Sequence, residues 1–181
     1  MKFQIHRFPE VASTNTVACE YAAKSAPEGT VITAGYQTSG RGKPGKRWIS
    51  PPGKNLLFSV LIRPPVSVPK IPAVTQIACR SAAEVLKKNY AINSTFKKPN
   101  DILVEGKKIC GVLVEAISKA GCVESAVIGI GLNVNASSSE LPETATSMRE
   151  IKGKEFHLDE ILHNLLAQLS QDLAAFYDHS V

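Results

Sequence analysis

The sequence predicts an α+β fold, a mixed and largely antiparallel sheet covered by helices. Three patterns support this class: several segments are β-branched or alternate in polarity as strands do, other segments repeat apolar residues at helical spacing, and a short glycine-containing turn joins two adjacent strands. With 181 residues, 44% of them hydrophobic, the chain has the size of one domain with its own core. We therefore expect a single domain over 1–181.

The first third of the chain predicts a strand, a helix and two further strands. Phe3, Ile5 and Phe8 predict a short strand at 3–8. The polar triplet 13–15 can cap a helix that runs toward Pro27. The next two apolar runs, 30–38 and 55–62, predict strands that are joined by a long loop.

The rest of the chain predicts a helix, a hairpin, a strand and a closing helix. Apolar residues recur at helical spacing over 74–89, so this helix is expected to lie across the sheet. The segment 102–117 predicts a hairpin that turns at 105–106, and 123–134 predicts a further strand. A leucine-rich repeat of helical spacing over 157–176 predicts an amphipathic helix of several turns.

The net charge alone does not decide among several classes of binding partner. The 21 Lys and Arg residues exceed the 16 Asp and Glu residues and give a net charge of +5. This excess could serve nucleic acid, an anionic lipid surface, phosphate-bearing substrates or an acidic protein partner. The cations concentrate in two short segments, 41–47 and 97–108, which are the first places to look for a site.

The cysteines and the hydropathy pattern predict a cytoplasmic protein. The four cysteines form no CxxC pair and have no ligand-spaced partners, so we expect free, buried thiols in a reducing cytosol rather than disulfides or a metal site. Residues 1–10 lack the apolar run of a signal peptide. No stretch approaches the roughly 20 apolar residues of a membrane span, so no membrane partner is expected.

The segment 39–48, hereafter the lid, predicts an anion-binding site. It holds three glycines and four cations, and it ends on Trp48. Glycines let backbone N–H groups turn toward an anion, and a Trp can stack on a flat ring or seal the loop. A solvated surface loop with an anchored Trp is the structural alternative. The spacing nearly matches a P-loop, but Arg47 replaces the required Ser or Thr and no helix follows, so we reject a P-loop NTPase.

Two further segments carry polar residues beside strands. Pro99 and Asn100 are explained by a turn, but Asp101 directly follows them and Lys108 begins a strand. Such a carboxylate could orient an amine, and such a lysine could neutralise charge on an acyl phosphate. The strand glycines at 129–131 permit close approach of a ligand, and Asn133 could donate to a phosphate or a base, although a bulge explains them equally well.

In this order, these segments resemble the biotin protein ligase family over roughly 3–177. The matching motifs are Ser13-Thr14-Asn15, Gln37 with the lid, Pro99-Asn100-Asp101, the run from Lys108 to Glu115, and the run from Gly129 to Asn133. The resemblance implies the catalytic-domain fold shared with lipoate ligases. It also implies two reactions: biotin and MgATP give biotinyl-5'-AMP and pyrophosphate, and the biotinyl group then passes to a lysine of a biotin carboxyl carrier protein domain of acetyl-CoA carboxylase.

The resemblance also implies roles for individual residues, while leaving the magnesium ligands unassigned. The implied catalytic residues are Lys108, Asp101 and Arg41. The implied biotin-binding residues are Ser13, Thr14, Asn15, Gln37, Gly40, Arg41, Gly42, Lys43, Lys108 and Gly111. The implied ATP-binding residues are Lys43, Lys46, Trp48, Asn100, Lys108 and Asn133.

The chain departs from the family pattern in three ways. Lys43 and Lys46 stand where the family usually carries Arg, which keeps the charge but loses a bidentate fork to phosphate, so ATP affinity is expected to fall. Lys98 stands where a Trp commonly precedes the Pro-Asn-Asp motif, and it receives no role. We expect neither an N-terminal DNA-binding domain nor a C-terminal SH3-like domain within 1–181, and hence no nucleic-acid partner. A homodimer through a sheet edge is a habit of the family.

Two other functions compete with this one. A lipoate ligase or octanoyl transferase would share the fold, but it should show a different Arg- and Gly-rich motif with a nearby His, and no His lies near the lid. A basic nucleic-acid-binding module would use 41–47 on phosphates and Trp48 on a base, but it would leave Lys108, Asp101 and Asn133 unexplained.

Overall fold

One sheet of seven strands organises the computed structural model, which describes residues 1–178. The strands and helices confirm the α+β class. In chain order they are β1 (Gln4–Val11), α1 (Thr14–Ala23), β2 (Thr30–Gln37), β3 (Leu56–Ile62), α2 (Ile71–Tyr90), β4 (Thr95–Lys97), β5 (Asp101–Val104), β6 (Lys107–Lys119), β7 (Cys122–Leu132), α3 (Met148–Lys152) and α4 (Leu158–Asp178). Short 3-10 turns at Val68–Lys70 and Ser138–Glu140 complete the list.

The sheet is mixed, as predicted, and largely antiparallel. Its strand order is β1-β2-β3-β7-β6-β5-β4, and only β1 and β2 run parallel to each other. Helix α1 connects this parallel pair, because two parallel neighbours need a crossover rather than a hairpin. In the register of the central strands, Ser59 lies opposite Gly129 and Gly111 lies opposite Gly131.

The two faces of the sheet are covered unequally. Helices α2 and α4 pack on one face over the main core, and α1 packs on the other face over a much smaller apolar cluster. Since side chains alternate along a strand, Ile128 and Ile130 of β7 enter the main core while Val127 faces α1. Gly129 and Gly131 share the face of Val127. The smaller helical cover leaves room on this face for a cavity.

The structure corrects the start of one predicted helix and adds two short elements that the sequence did not predict. Helix α2 begins at Ile71 rather than beyond Pro72, because proline is tolerated in the first helical turn. Strand β4 was not predicted, since its three residues are all exposed and show no alternation. Helix α3 was not predicted either. It is only five residues long, and its visible signal is Ser147, whose side chain accepts a hydrogen bond from the backbone N–H of Glu150.

The cysteines are free, as expected, but they are not all buried. Cys79 and Cys110 are buried, Cys19 is half-buried and Cys122 is exposed. The expected burial is therefore wrong for Cys122, which begins β7 directly after the hairpin turn at 120–121 and so lies outside the core. Within 1–178, no helix has both the length and the apolar character needed to cross a membrane.

Candidate active site

A cavity of about 620 Å³ opens on the α1 side of the sheet. This volume is within the usual range of small-molecule sites. Most residues predicted for the site line it: Ser13, Thr14, Asn15, Gln37, Arg41, Gly42, Lys43, Lys46, Trp48, Asn100, Asp101, Lys108 and Gly111. Gly40 and Asn133 do not. The cavity thus gathers residues from the start of α1, the lid, β5, β6 and β7.

One end of the cavity is a network of neutral polar groups at the start of α1. Gln37 Oε1 accepts from the backbone N–H of Thr14 at 2.7 Å and from its hydroxyl at 3.1 Å. The Ser59 hydroxyl lies 2.8 Å from Thr14 Oγ1 and 2.6 Å from Asn15 Oδ1, and its single proton serves one of them at a time. The predicted polar triplet therefore does not act as a helix cap. Ser13 holds the N-cap position, but its side chain makes no capping hydrogen bond.

A carboxylate on β6 connects this polar network to the lid. Glu115 Oε2 accepts a hydrogen bond from Asn15 Nδ2 at 2.7 Å and forms an ion pair with an Arg41 guanidinium nitrogen at 2.8 Å. The Asn15 amide fits against the sheet because residue 129 is glycine. A Cβ at that position would overlap Asn15 Oδ1.

Within the predicted long loop, the lid forms a small hairpin. Arg41 and Arg47 form an antiparallel bridge, and the backbone N–H of Gly42 donates to the carbonyl of Lys46 at 3.0 Å. At its base, the N–H of Trp48 donates to the carbonyl of Gly40 at 2.9 Å. A Cβ on Gly40 would collide with the Trp48 carbonyl, so Gly40 supports the hairpin from outside the cavity.

Trp48 lies in a cradle made by two glycines on neighbouring strands. A Cβ on Gly131 would come within 2.6 Å of the indole Cε2, and one on Gly111 would come within 3.0 Å of Cζ3. The ammonium of Lys108 lies 5.3 Å from the ring centroid, at the distance of a cation–π contact. The buried Nε1 of Trp48 has no hydrogen-bond partner in the described part of the chain, so it remains available to a ligand acceptor.

An ion pair stands beside this cradle. Lys108 Nζ lies 2.6 Å from Asp101 Oδ1, and the two side chains are 35% and 20% exposed. The contact is an ion pair rather than a well-aligned hydrogen bond. The backbone of Lys108 is held on both sides by the segment 144–146, since its N–H donates to the Thr144 carbonyl at 2.8 Å and its carbonyl accepts from Thr146 at 2.9 Å. The lysine therefore projects from a rigid support.

The two asparagines predicted for nucleotide binding differ in placement. Asn100 lines the cavity and donates to the Val112 carbonyl at 2.6 Å, while its buried Oδ1 has no partner among residues 1–178. Asn133 lies outside the cavity. Its Oδ1 accepts from Asn55 at 3.1 Å, and its Nδ2 donates to the Thr146 carbonyl at 3.1 Å. This side chain thus fastens the segment that supports Lys108.

The charge on the cavity wall is strongly positive. Its lining carries one carboxylate, Asp101, against the cations Arg41, Lys43, Lys46, Arg47, Lys97 and Lys108. Such a wall attracts a ligand with several negative charges. Within 1–178, no group of three His, Cys, Asp or Glu residues is arranged to hold a metal ion.

Thiol chemistry does not contribute at this site. Burial raises the pKa of the Cys79 thiol to about 12, and the nearby Asp101 carboxylate acts in the same direction. Burial likewise raises the pKa of the Cys110 thiol. Both groups stay protonated at neutral pH, whereas a nucleophilic cysteine needs its thiolate.

Several residues of the site received no role from the sequence. Lys97, Arg47 and Thr144 line the cavity, while Ser59 and Glu115 orient residues that do. Glu115 is part of a quoted motif, and the cation runs at 41–47 and 97–108 already marked Arg47 and Lys97 as near a site. Ser59 and Thr144 give no local signal, because their contacts join residues far apart in the chain.

Comparison with known proteins places the chain in a family. A family model described as the biotin/lipoate A/B protein ligase family matches residues 8–133, more than half of the chain. The bifunctional ligase/repressor BirA of Bacillus spizizenii is 34% identical over 160 residues, which are 86% of this chain and 49% of that protein. The biotin–[acetyl-CoA-carboxylase] ligase of Mycobacterium tuberculosis is 29% identical over 173 residues, which are 92% of this chain and 62% of that protein. The chain spans about half the length of the BirA proteins it matches.

Two solved structures have the same fold as this chain. A biotin protein ligase from Aquifex aeolicus, in complex with biotin and ATP, superposes with a TM-score of 0.83 at 32% identity, covering 98% of this chain and 73% of that chain. A biotin protein ligase from Leishmania major, in complex with biotinyl-5-AMP, superposes with a TM-score of 0.73 at 27% identity, covering 98% of this chain and 81% of that chain. The chain therefore belongs to the biotin/lipoate A/B protein ligase family.

Proposed function

We propose that the chain is a biotin protein ligase. It joins biotin to AMP at the expense of ATP and then transfers the biotinyl group to a lysine of a biotin carboxyl carrier protein. The observation that carries this proposal is the Lys108–Asp101 ion pair, 2.6 Å long, on the wall of a cation-lined cavity. The Trp48 cradle lies beside the pair, against Gly131 of β7. The neutral polar network meets the same face of this strand at Gly129, where the Asn15 amide lies.

The polar network suits the ring end of biotin. The fused rings of biotin carry a urea, which presents both N–H donors and a carbonyl acceptor. Ser13, Thr14, Asn15 and Gln37 line this end of the cavity and offer hydroxyl and amide groups of both kinds. The acid tail then points toward the lid. We assign its carboxylate to Arg41 and Lys43, which line the cavity there.

In the first reaction, a carboxylate oxygen of biotin attacks the α-phosphorus of ATP. A new oxygen–phosphorus bond forms, the bond between the α-phosphorus and the bridging oxygen breaks, and pyrophosphate leaves. Because one anion attacks another, the barrier falls only if cations lie close to both. Lys108 serves the carboxylate and the α-phosphate, Lys43 and Lys46 serve the phosphates, and Trp48 and Asn100 face the nucleotide. Asn133 acts indirectly, by fastening the segment 144–146 that holds Lys108.

In the second reaction, the amine of the carrier lysine attacks the acyl carbon. A new carbon–nitrogen bond forms, the bond between that carbon and the phosphate oxygen breaks, AMP leaves, and the amine releases a proton to solvent. Asp101 lines the cavity and carries its only lining carboxylate among the described residues, so we assign it to orienting the amine. Until the carrier arrives, the lid shields the mixed anhydride from water.

Magnesium enters this proposal with the nucleotide. Mg²⁺ usually binds through substrate phosphates and one or two carboxylates rather than through a cage of protein ligands. Asp101 lines the cavity and is the carboxylate that would meet an ion bound to the phosphates. The ion would supply further positive charge at the phosphates.

Biotin is favoured over lipoate or octanoate by the polarity of the pocket. An octanoyl chain is apolar and would leave the Thr14, Asn15, Gln37 and Ser59 network without a ligand partner. The named relatives and the solved structures also point to biotin rather than lipoate. We further propose a cytoplasmic location, supported by four cysteines that form no disulfide, and a homodimer through a sheet edge, for which β1 and β4 are the available strands.

The experiment that tests this function is pyrophosphate exchange with biotin, lipoate and octanoate in parallel. We expect exchange with biotin and little with the other two acids. Exchange driven by lipoate or octanoate would assign the chain to the other branch of its family. No exchange with any acid, together with salt-sensitive binding to oligonucleotides, would instead support a nucleic-acid-binding module.

A further inference from the structure

Glu115 holds a position that none of the proposed reaction steps uses. It lies on β6, on the same face as Gly111 and two residues beyond Leu113, and its side chain is 33% exposed. Its Oε2 receives both Asn15 Nδ2 and an Arg41 guanidinium nitrogen, at 2.7 and 2.8 Å. A single carboxylate oxygen therefore connects the first turn of α1 to the first residue of the lid hairpin.

The Asn15 amide depends on this contact for its orientation. Its oxygen accepts from the Ser59 hydroxyl at 2.6 Å, and its nitrogen donates to Glu115 and, at 3.3 Å, to the Leu113 carbonyl. Glu115 is the only charged member of this set, and hydrogen bonds to charged groups are the stronger ones. The Glu115 carboxylate and the Leu113 carbonyl both accept from the amide nitrogen, so the shorter, charge-assisted bond to Glu115 reinforces the orientation in which the nitrogen faces β6.

Arg41 depends on Glu115 in a different way. A guanidinium has five N–H donors, and the Glu115 contact occupies one edge of it. Glu115 is the ion-pair partner of Arg41 within 1–178. Since Arg41 also lines the cavity, its remaining donors are free to meet a ligand carboxylate. Glu115 therefore orients the Arg41 side chain and leaves guanidinium donors for a ligand.

We propose that Glu115 is a positioning residue that couples closure of the lid to recognition of the ring end of biotin. A ligand held by Asn15 favours the arrangement in which Glu115 also holds Arg41, and a closed lid in turn preorganises Asn15. Coupling of this kind is reciprocal. The identity of the ligand rests on the proposed function, whereas the latch between Glu115 and the lid is a contact between residues of this chain alone.

The test compares Glu115→Gln with the matched control Glu124→Gln, an exposed glutamate on β7. Trypsin can cut the lid after Arg41, Lys46 and Arg47. In the free protein, we expect Glu115→Gln to be cut about tenfold faster than the parent, the effect of losing roughly one charge-assisted hydrogen bond. In pyrophosphate exchange, its KM for biotin should rise about tenfold, while kcat and the KM for ATP stay within about twofold. The control should match the parent in both assays.

The possible outcomes distinguish the latch, its coupling to biotin binding and the proposed function. Lid cleavage at the parental rate in Glu115→Gln would overturn the latch, whatever the enzyme's activity. Faster cleavage with an unchanged KM for biotin would overturn the coupling. If the parent shows no biotin-dependent exchange, the proposed function fails while the cleavage comparison still decides the latch. A double-mutant cycle with Arg41→Gln guards against an effect on folding, because the Glu115 substitution should add little to cleavage after Lys46 once Arg41 is gone.

Discussion

Replacing Gly131 by alanine should damage the nucleotide end of the site selectively. The new Cβ would lie 2.6 Å from Trp48 Cε2 and 2.8 Å from Cζ2, whereas carbon atoms in contact are about 3.5–4.0 Å apart. The strand is held in the sheet on both sides, so the indole rather than the backbone must move, by about 1 Å. A misplacement of 1 Å can cost about 100-fold in rate. We expect kcat/KM for ATP to fall by about this factor.

Gly129→Ala is the matched comparison, since it is two residues away on the same face of β7. Its Cβ would overlap the Asn15 amide instead of Trp48. This variant should therefore raise the KM for biotin and leave the KM for ATP near the parental value. Together the two alanines separate the ring end of the cavity from the nucleotide end.

Pyrophosphate exchange with each substrate varied in turn measures both effects. Trp48 is the only tryptophan of the chain, so its fluorescence reports directly on the cradle. We expect a shift in emission for Gly131→Ala and none for Gly129→Ala, with circular dichroism confirming that both variants are folded. An unchanged emission spectrum and an unchanged KM for ATP in Gly131→Ala would show that the Trp48 indole is not displaced and does not bind the nucleotide.

Three further predictions concern other parts of the molecule. Asp101→Ala should keep more adenylate formation than carrier transfer, and an equal loss in both half-reactions would count against its role toward the amine. Iodoacetamide should modify Cys122 in the folded protein but Cys79 and Cys110 only after unfolding, because burial raises the pKa of both buried thiols, that of Cys79 to about 12; rapid modification of Cys110 in the native state, read by mass spectrometry, would contradict this. The pKa of Glu140 is lowered from 4.5 to about 2 because the N–H and hydroxyl of Ser137, and Lys54, bind its carboxylate. Because its pKa is lowered, the Glu140 carboxylate stabilises the folded state above pH 4.5, and this stabilisation is lost as the pH falls toward 2. Glu140→Gln should therefore lower the urea midpoint at pH 7 and lower it by less below pH 4.5. A change in midpoint that is the same at every pH would argue against this role of Glu140.

The fold was largely predictable because its elements carry strong periodic signals. Helix α4 repeats apolar residues at helical spacing, and β3 is apolar except for Ser59 and is buried on both faces. Strand β4 escaped prediction since it is short, exposed and at the edge of the sheet, where no burial pattern is imposed. The hairpin within the lid was not predictable, because nothing in its glycines and cations indicates the bridge between Arg41 and Arg47.

The sequence indicated which segments would gather in one candidate cavity, but not the contacts within it. The residue types at 13–15, 41–48 and 100–108 indicated the chemistry, and these segments line the same cavity. Asn133 looked like a ligand contact, yet its amide is engaged by Asn55 and the Thr146 carbonyl. Such contacts join strands and loops that are distant in sequence, and their partners emerge only from the register of the sheet.

The central claim is that Lys108 enables attack of a carboxylate on the α-phosphate. The most direct measurement is biotin-dependent pyrophosphate exchange by the parent and by Lys108→Ala, with Lys107→Ala, the adjacent exposed lysine of β6, as the control. We predict exchange by the parent and the control, and its loss in Lys108→Ala with the fold retained. Near-normal formation of biotinyl-AMP by Lys108→Ala would show that Lys108 is not needed for this attack.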